Sequence, residues 1–324
     1  MVERIVIITG SNSGIGKAAA KKFAAEGYRV VMACRDIERS KIAQQEIIDA
    51  TNSKKVELMQ LDVSSFDSIR TFCSEYKENH NKLDVLIHNA AYFNHGEKEY
   101  QLSPDNIEVT FATNTFGPFL MTSLLKDTLA QSDDPRILTS STTNIKYFFD
   151  PKREIELDDL HGENKDDKPY NVYKRYGDSK MALLMLTFRI AGKFRDAGIK
   201  ANAVMIPNIR QEKSSLRKFK SKYYRTIATF QNLFARPPER MADTYFQICD
   251  SEEFKNVTGK LINIDNKIMQ CTELPPGKGG IALLKELMSF DTYPRYVENK
   301  EMMDKVWEVS MRETKSHREP DLQS

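Results

Sequence analysis

Tyr176 and Lys180 stand four residues apart in Tyr176-Gly177-Asp178-Ser179-Lys180, so a helix that carries them puts a phenol and an ammonium on one face. The apolar run from Met181 to Ile190 that follows predicts such a helix. A free tyrosine has a pKa near ~10 and is a poor base at neutral pH. A nearby cation favours the phenolate, each unit of depression being worth about 1.4 kcal/mol, and the pair becomes a usable proton shuttle. The spacing alone is a weak signal, because 13 tyrosines in a lysine-rich chain produce roughly one such pair by chance. Tyr170 with Lys174 and Tyr296 with Lys300 match it too. Only Tyr176 heads a long apolar helix downstream of a strand that ends in hydroxyls, Thr139-Ser140-Ser141. The other two pairs read as surface coincidences.

A second chemistry-bearing stretch is Thr9-Gly10-Ser11-Asn12-Ser13-Gly14-Ile15-Gly16, between a predicted strand and a predicted helix, the setting of a phosphate-cradling loop. Missing Cβ atoms let the backbone turn sharply and approach a pyrophosphate, whose charge meets the helix N-terminus. The spacing is TGxxxGxG rather than GxGxxG, and a glycine-rich turn with no ligand is the plain alternative. About eighteen residues after Gly16, where an NAD-preferring fold places an acid for the ribose 2′-hydroxyl, the chain has Cys34. Arg35 comes next and Lys17 sits in the first helical turn, so two cations could meet a 2′-phosphate. This pattern favours NADP(H) over NAD(H). In the alternative, both are solvated surface cations and Asp36 reaches the ribose.

These groups need a scaffold, and the alternation of short apolar runs with amphipathic stretches predicts βαβ units on a parallel sheet. Seven runs read as strands buried on both faces: Ile5 to Ile8, Arg29 to Ala33, Val56 to Leu61, Val85 to His88, Arg136 to Thr139, Ala201 to Ile206 and Lys260 to Ile264. Between the first two, Ile15, Ala19, Phe23 and Glu26 trace a helical period that Gly27 stops. The expected fold is α/β, a Rossmann-type doubly wound parallel sheet of about seven strands with helices on both faces and a C-terminal helical extension.

The 324 residues leave room for one large domain and an appendage. Pro275-Pro276-Gly277 is the strongest late punctuation. Residues 1–270 are expected to form one cofactor-binding catalytic unit. Residues 271–324 would form an extension anchored by Trp307. A charge of 48 basic against 46 acidic residues, or +2, argues against a general nucleic-acid binder. Cys34, Cys73, Cys249 and Cys271 form no CxxC pair, so neither a disulfide framework nor a metal site is expected. A reducing, cytoplasmic setting fits this usage. The apolar stretch Ile5 to Ile8 is too brief for a signal peptide or a membrane span.

Taken in order, Thr9 to Gly16, Leu61-Asp62-Val63, His88-Asn89-Ala90-Ala91, Asn114 in Thr113-Asn114-Thr115-Phe116-Gly117, Ser141, and Tyr176 with Lys180 resemble the short-chain dehydrogenase/reductase family. The set spans about residues 5 to 265. Within the family the chain is most similar to the retinol-dehydrogenase-like branch, through Ala33-Cys34-Arg35-Asp36, the Asp158-Asp159-Leu160 insertion and Lys305-Val306-Trp307-Glu308-Val309-Ser310. The resemblance implies that Tyr176 passes a proton to or from the substrate oxygen while hydride moves to or from nicotinamide. It implies that Ser141 hydrogen-bonds the same oxygen, that Lys180 binds the nicotinamide ribose and lowers the tyrosine pKa, and that Asn114 holds a water linking Lys180 to solvent. Gly10, Ser11, Asn12, Ser13, Gly14, Ile15 and Gly16 would hold the phosphates. Arg35, Asp62, Val63, Asn89 and Ala90 would line the adenosine side, and Pro207 the nicotinamide end.

The chain departs from the family pattern at three points. Ala91 replaces the usual glycine, Asn208 replaces the glycine after Pro207, and no threonine follows in Ile209-Arg210-Gln211-Glu212. Asn tolerates a left-handed backbone, which would preserve the turn at 208. The resemblance implies a substrate lid over residues 207–240, and the segment there from Arg210 to Arg225 carries seven cations, which suggests an anionic substrate, an anionic membrane surface or a solvated basic face, the last being favoured. The reading is an NADP-dependent oxidoreductase interconverting an alcohol and a carbonyl on a small, lipophilic or polycyclic substrate, with homo-oligomers possible. The alternatives are a carbon-carbon double-bond reductase resembling protochlorophyllide reductase, and a catalytically idle cofactor-sensing or scaffold protein.

Overall fold

The computed structural model of the chain describes residues 3–94, 96–163, 169–211, 225–226, 229, 232, 235–273 and 280–315. Seven strands form one sheet in the order β3-β2-β1-β4-β5-β6-β7, every pair parallel. They are β1 (Ile5–Thr9), β2 (Arg29–Cys34), β3 (Val56–Gln60), β4 (Val85–His88), β5 (Arg136–Thr142), β6 (Lys200–Ile206) and β7 (Leu261–Ile262). All seven expected runs are present. The order reverses between β1 and β4, and the crevice at such a reversal is where open α/β sheets take ligands.

β5 runs three residues beyond the expected end at Thr139. Its pairing with β6 continues through Ser140 opposite Val204, Ser141 opposite Met205 and Thr142 opposite Ile206. The hydroxyl cluster is therefore strand, and its side chains alternate between the two faces of the sheet.

Alternation along β1 divides the core. Ile5 and Ile7 join one cluster with α3 (Phe66–Asn79), α5 (Gly117–Leu124) and α7 (Val172–Lys193). Val6 and Ile8 join the other with α1 (Gly14–Ala25), α2 (Ile37–Thr51) and α8 (Pro238–Asp250). The central strands are buried on both faces, as their unbroken apolar runs require, whereas edge strand β3 is buried fully only at Val56. Leading into α5 are a short α4 (Val109–Phe111) and a π turn over Ala112–Phe116, and α6 (Lys126–Leu129) follows it.

The C-terminal extension contains helices α9 (Ile281–Met288) and α10 (Lys300–Lys315). It also carries a small parallel sheet that the sequence reading lacked, β8 (Gln270–Thr272) paired with β9 (Thr292–Pro294). α10 packs on α7 through buried Val306 and Val309. Trp307 is only half-buried, edge-on to Phe119 and under the cations of Arg189 and Lys193. A second link to the body is Lys146, buried in the 3-10 segment after β5, whose ammonium holds the carbonyls of Glu286, Leu287 and Ser289 at the end of α9.

Candidate active site

The glycine loop crosses the end of β1 with Gly10 and Gly14 at φ +65° and +54°, a backbone that glycine adopts freely. Gly16 has a different reason to be glycine. A Cβ there would fall well inside 3.0 Å of the Gly10 carbonyl oxygen and the Asn89 amide nitrogen. The Asn89 side chain clamps the loop, donating to Thr9 O at 3.0 Å and Gly10 O at 3.4 Å and accepting from the Tyr245 hydroxyl of α8 at 3.2 Å. Asn89 thus lines the cleft with its amide already committed to the loop. Among the described residues no side chain caps α1, whereas Asp36, Ser65 and Asn171 cap α2, α3 and α7. The amides of Gly14, Ile15 and Gly16 are left for an incoming anion, and the residues present fit a pyrophosphate.

From the loop onward, Asn12, Ser13, Cys34, Arg35, Asp62 and Ala90 line one cleft. Cys34 is buried, its sulfur 3.5 Å from the Ser11 hydroxyl. Asp36, the rival partner for the ribose, uses its carboxylate to accept from Arg39 N at 3.0 Å as the cap of α2. Arg39 itself, one turn into α2, joins Arg35 in lining the cleft, a neighbour the sequence reading missed. Lys17 does not join them. It ion-pairs with Glu46 and borders a different groove, beside Arg210. Asp62 receives Ser64 N and Ser64 Oγ at 2.9 and 2.6 Å, both on Oδ1, leaving Oδ2 without a protein partner among the described residues. Val63 is buried, with its carbonyl against Gly117. Ala91 lies exposed along the same cleft.

At the ends of β4 and β5 the hydroxyl that meets Tyr176 is Thr142, whose side chain lies close enough to the phenol to favour its ionised form. Ser141, the expected partner, is buried with its Oγ unpartnered among the described residues. Strand alternation is the cause: Thr142 and Ser141 face opposite ways. Ser140 holds Lys180, whose fully buried ammonium donates 3.0 Å bonds to both Ser140 O and Ser140 Oγ. Burial pushes Lys180 down to about 7. It also pushes the Tyr176 phenol up, against the effect of the Thr142 side chain, so the expected depression is absent from this arrangement. The ammonium has turned to Ser140 instead of the phenol. His88, buried at the end of β4 with Nε2 2.8 Å from Thr122 Oγ1, is driven down to about 3 by burial and by the Lys180 charge, and stands neutral.

Asn114 sits at the centre of the π turn, and its amide is fully used. It accepts from Tyr92 N at 2.7 Å and donates to Tyr92 O at 3.0 Å and Ser179 Oγ at 3.1 Å. A water that Asn114 held would therefore have to meet its main chain. The next residue, Phe93, stacks on the Tyr176 ring with centroids 4.4 Å apart and planes at 26°. The remaining Tyr-Lys pairs serve structure: Tyr170 donates to buried Glu108 at 2.8 Å, and Tyr296 accepts Ile155 N at 3.0 Å.

Past β6, Pro207 is half-buried and Asn208 is exposed, without the left-handed backbone expected there. A parallel bridge from Ile209 to Arg236 shapes this turn instead, with Arg210 N bonded to Arg236 O at 2.8 Å. Of the seven lid cations only Arg210 and Arg225 fall among the described residues; Lys213, Arg217, Lys218, Lys220 and Lys222 lie outside them. Among the described residues there is no cluster that could hold a metal ion and no helix long and apolar enough to cross a membrane.

The family model for short chain dehydrogenases matches residues 4–149. Human retinol dehydrogenase 13 is 30% identical over 259 residues, 79% of this chain and 75% of that protein. Mouse retinol dehydrogenase 12 is 35% identical over 201 residues, 62% of this chain and 60% of the relative. The chicken WW domain-containing oxidoreductase is 31% identical over 203 residues, covering 62% of this chain and 48% of its own. Among solved structures, a protein from Mycobacterium paratuberculosis superposes with a TM-score of 0.64 at 23% identity, covering 96% of this chain and 93% of its own. A short chain dehydrogenase of Shigella flexneri complexed with NADP gives 0.62 at 17% identity over 81% and 97%.

Proposed function

The chain belongs to the short-chain dehydrogenase/reductase family, and from that membership we propose that it is an NADP-dependent oxidoreductase interconverting an alcohol and a carbonyl on a small, lipophilic or polycyclic molecule. The observation that carries the reading is the meeting of Tyr176 with the Thr142 hydroxyl at the end of β5, with Lys180 one turn further along α7 and held by Ser140 of the same strand. The hydride is supplied or accepted by the nicotinamide dinucleotide when it is bound. In reduction, Tyr176 gives its proton to the substrate oxygen as the carbonyl carbon takes hydride, and the tyrosinate is reprotonated by way of Lys180. Thr142 is the second donor to that oxygen, and two preorganised donors stabilise the charge it develops.

The loop from Gly10 to Gly16 and the uncapped start of α1 would hold the pyrophosphate, and Asp62 the adenine side. Arg35 and Arg39 would hold a 2′-phosphate, which supports NADP(H) over NAD(H). The retinoid names of the similar proteins support a lipophilic substrate.

A carbonyl-library screen following NADPH oxidation between about pH 6 and 8 tests this reading, with Tyr176→Phe as the control. The variant should keep NADPH affinity and lose most turnover. Undiminished turnover in Tyr176→Phe, or no NADPH binding by the unaltered chain, would sink the assignment.

A further inference from the structure

Tyr176 is half-buried, with neighbours on four sides. Thr142 of β5 faces its hydroxyl, and Tyr245 of α8 lies close enough for its charge to be felt. On its own helix Tyr173 stands one turn earlier and Lys180 one turn later, with the Lys180 ammonium committed to Ser140. The fourth direction is the ring face, and Phe93 covers it. Phe93 also meets Tyr173 edge-on, with centroids 5.6 Å apart and planes at 74°, so it wedges against both aromatic rings of this turn of α7.

Phe93 is held there by its neighbour. Both backbone groups of Tyr92 are taken by the Asn114 amide, at 2.7 and 3.0 Å, and Asn114 is anchored in turn to Ser179 of α7. The residue before Phe93 is thereby tied to the helix that carries Tyr176. A stacked aromatic pair gains stability beyond its buried area, which favours one ring position.

Resting on the reading of Tyr176 as proton donor and acceptor, we propose that Phe93 is a positioning residue for the reaction: it covers one face of the half-buried Tyr176 ring, fixes the phenol beside Thr142 and limits the access of water to it. A phenol shielded from water resists ionisation, because the phenolate is the form that needs solvation. Tyr176 is accordingly kept as a proton donor, and carbonyl reduction is favoured over alcohol oxidation at neutral pH. The upward shift of Tyr176 by burial agrees with this geometry.

The test labels the full chain with 13C at tyrosine Cζ and identifies the Tyr176 resonance by its loss in Tyr176→Phe. Phe93→Ala should lower the pH at which that resonance becomes tyrosinate by about one unit or more, a tenfold change in the equilibrium. Phe93→Leu, which keeps an apolar cover without a ring, should fall between. In NADPH-driven reduction of phenanthrenequinone, the basic limb of kcat should move down with it. A merely structural role would lower the melting temperature and leave the midpoint in place. Equal midpoints in all three proteins, or a Tyr176 that stays protonated to about pH 11 in all three, overturn the proposal. The resonance reports whether or not any carbonyl is turned over, so this failure is distinct from failure of the oxidoreductase reading.

Discussion

Removing the Thr142 hydroxyl should cost far more turnover than removing that of Ser141. The Thr142 side chain faces the Tyr176 phenol, whereas the Ser141 hydroxyl is buried without a partner among the described residues. A substrate oxygen that takes the Tyr176 proton therefore lies within reach of Thr142. Deleting one of two preorganised donors to a developing oxyanion costs about 10²–10³ in kcat, or about 3–4 kcal/mol, and Thr142→Val is expected to lose that much. Its folding stability should fall by only about 1 kcal/mol, the net worth of a typical hydrogen bond. Ser141→Ala should leave kcat within a few-fold and raise stability by about 1 kcal/mol, since it removes an unsatisfied buried hydroxyl. Thr142→Ser, which keeps the hydroxyl, should restore most of the activity. The assay is kcat and kcat/KM for NADPH-dependent reduction of the best carbonyl from the screen, with NADPH affinity measured by fluorescence. If Ser141→Ala proves slower than Thr142→Val, the strand-face reasoning fails.

Further outcomes follow from the same geometry. Arg35→Ala and Arg39→Ala should each weaken NADPH binding far more than NADH binding, and titration calorimetry with both cofactors checks it; equal losses would contradict a 2′-phosphate contact. Lys180→Met should stabilise the fold, because burial holds the lysine down to about 7. Between that value and the unfolded pKa the unfolded chain binds one more proton, so the wild-type protein gains about 1.4 kcal/mol per pH unit as pH rises, and the variant's advantage, largest below pH 7, should vanish near about pH 10 in denaturant titrations. Gly16→Ala should destabilise by about 1–3 kcal/mol and abolish cofactor binding, since its Cβ would collide with the Gly10 carbonyl and the Asn89 amide; thermal melts with and without NADPH would show it.

The sheet was legible because strands buried on both faces must be apolar throughout, and Ile5 to Ile8 or Val85 to His88 leave no competing pattern. β8 and β9 were not legible: Gln270–Thr272 and Thr292–Pro294 are three residues each, half-exposed or interrupted by proline. The glycine loop and the Tyr176-Lys180 pair could be read from spacing, since helical geometry fixes which residues share a face. The partner of the phenol could not. Three adjacent hydroxyls, Ser140, Ser141 and Thr142, are equivalent until the strand is known to continue through them, and that depends on pairing with β6, more than sixty residues away. Alternation within that longer strand was the available signal. Lys17 and Arg39 exchanged roles for a similar reason, because Glu46 on α2 draws the lysine away and α2 turns the arginine toward the cleft.

Lys146 makes the far end of the chain a structural tenant of the site. It lies four residues after Thr142, and its ammonium is solvated by the last carbonyls of α9 rather than by water. A chain cut before α9 would strand that charge against the apolar wall of the segment leading out of β5, at several kcal/mol. Changes in the extension are thereby coupled to the end of β5 that carries Thr142. Swapping extensions between relatives should change substrate acceptance and folding yield together.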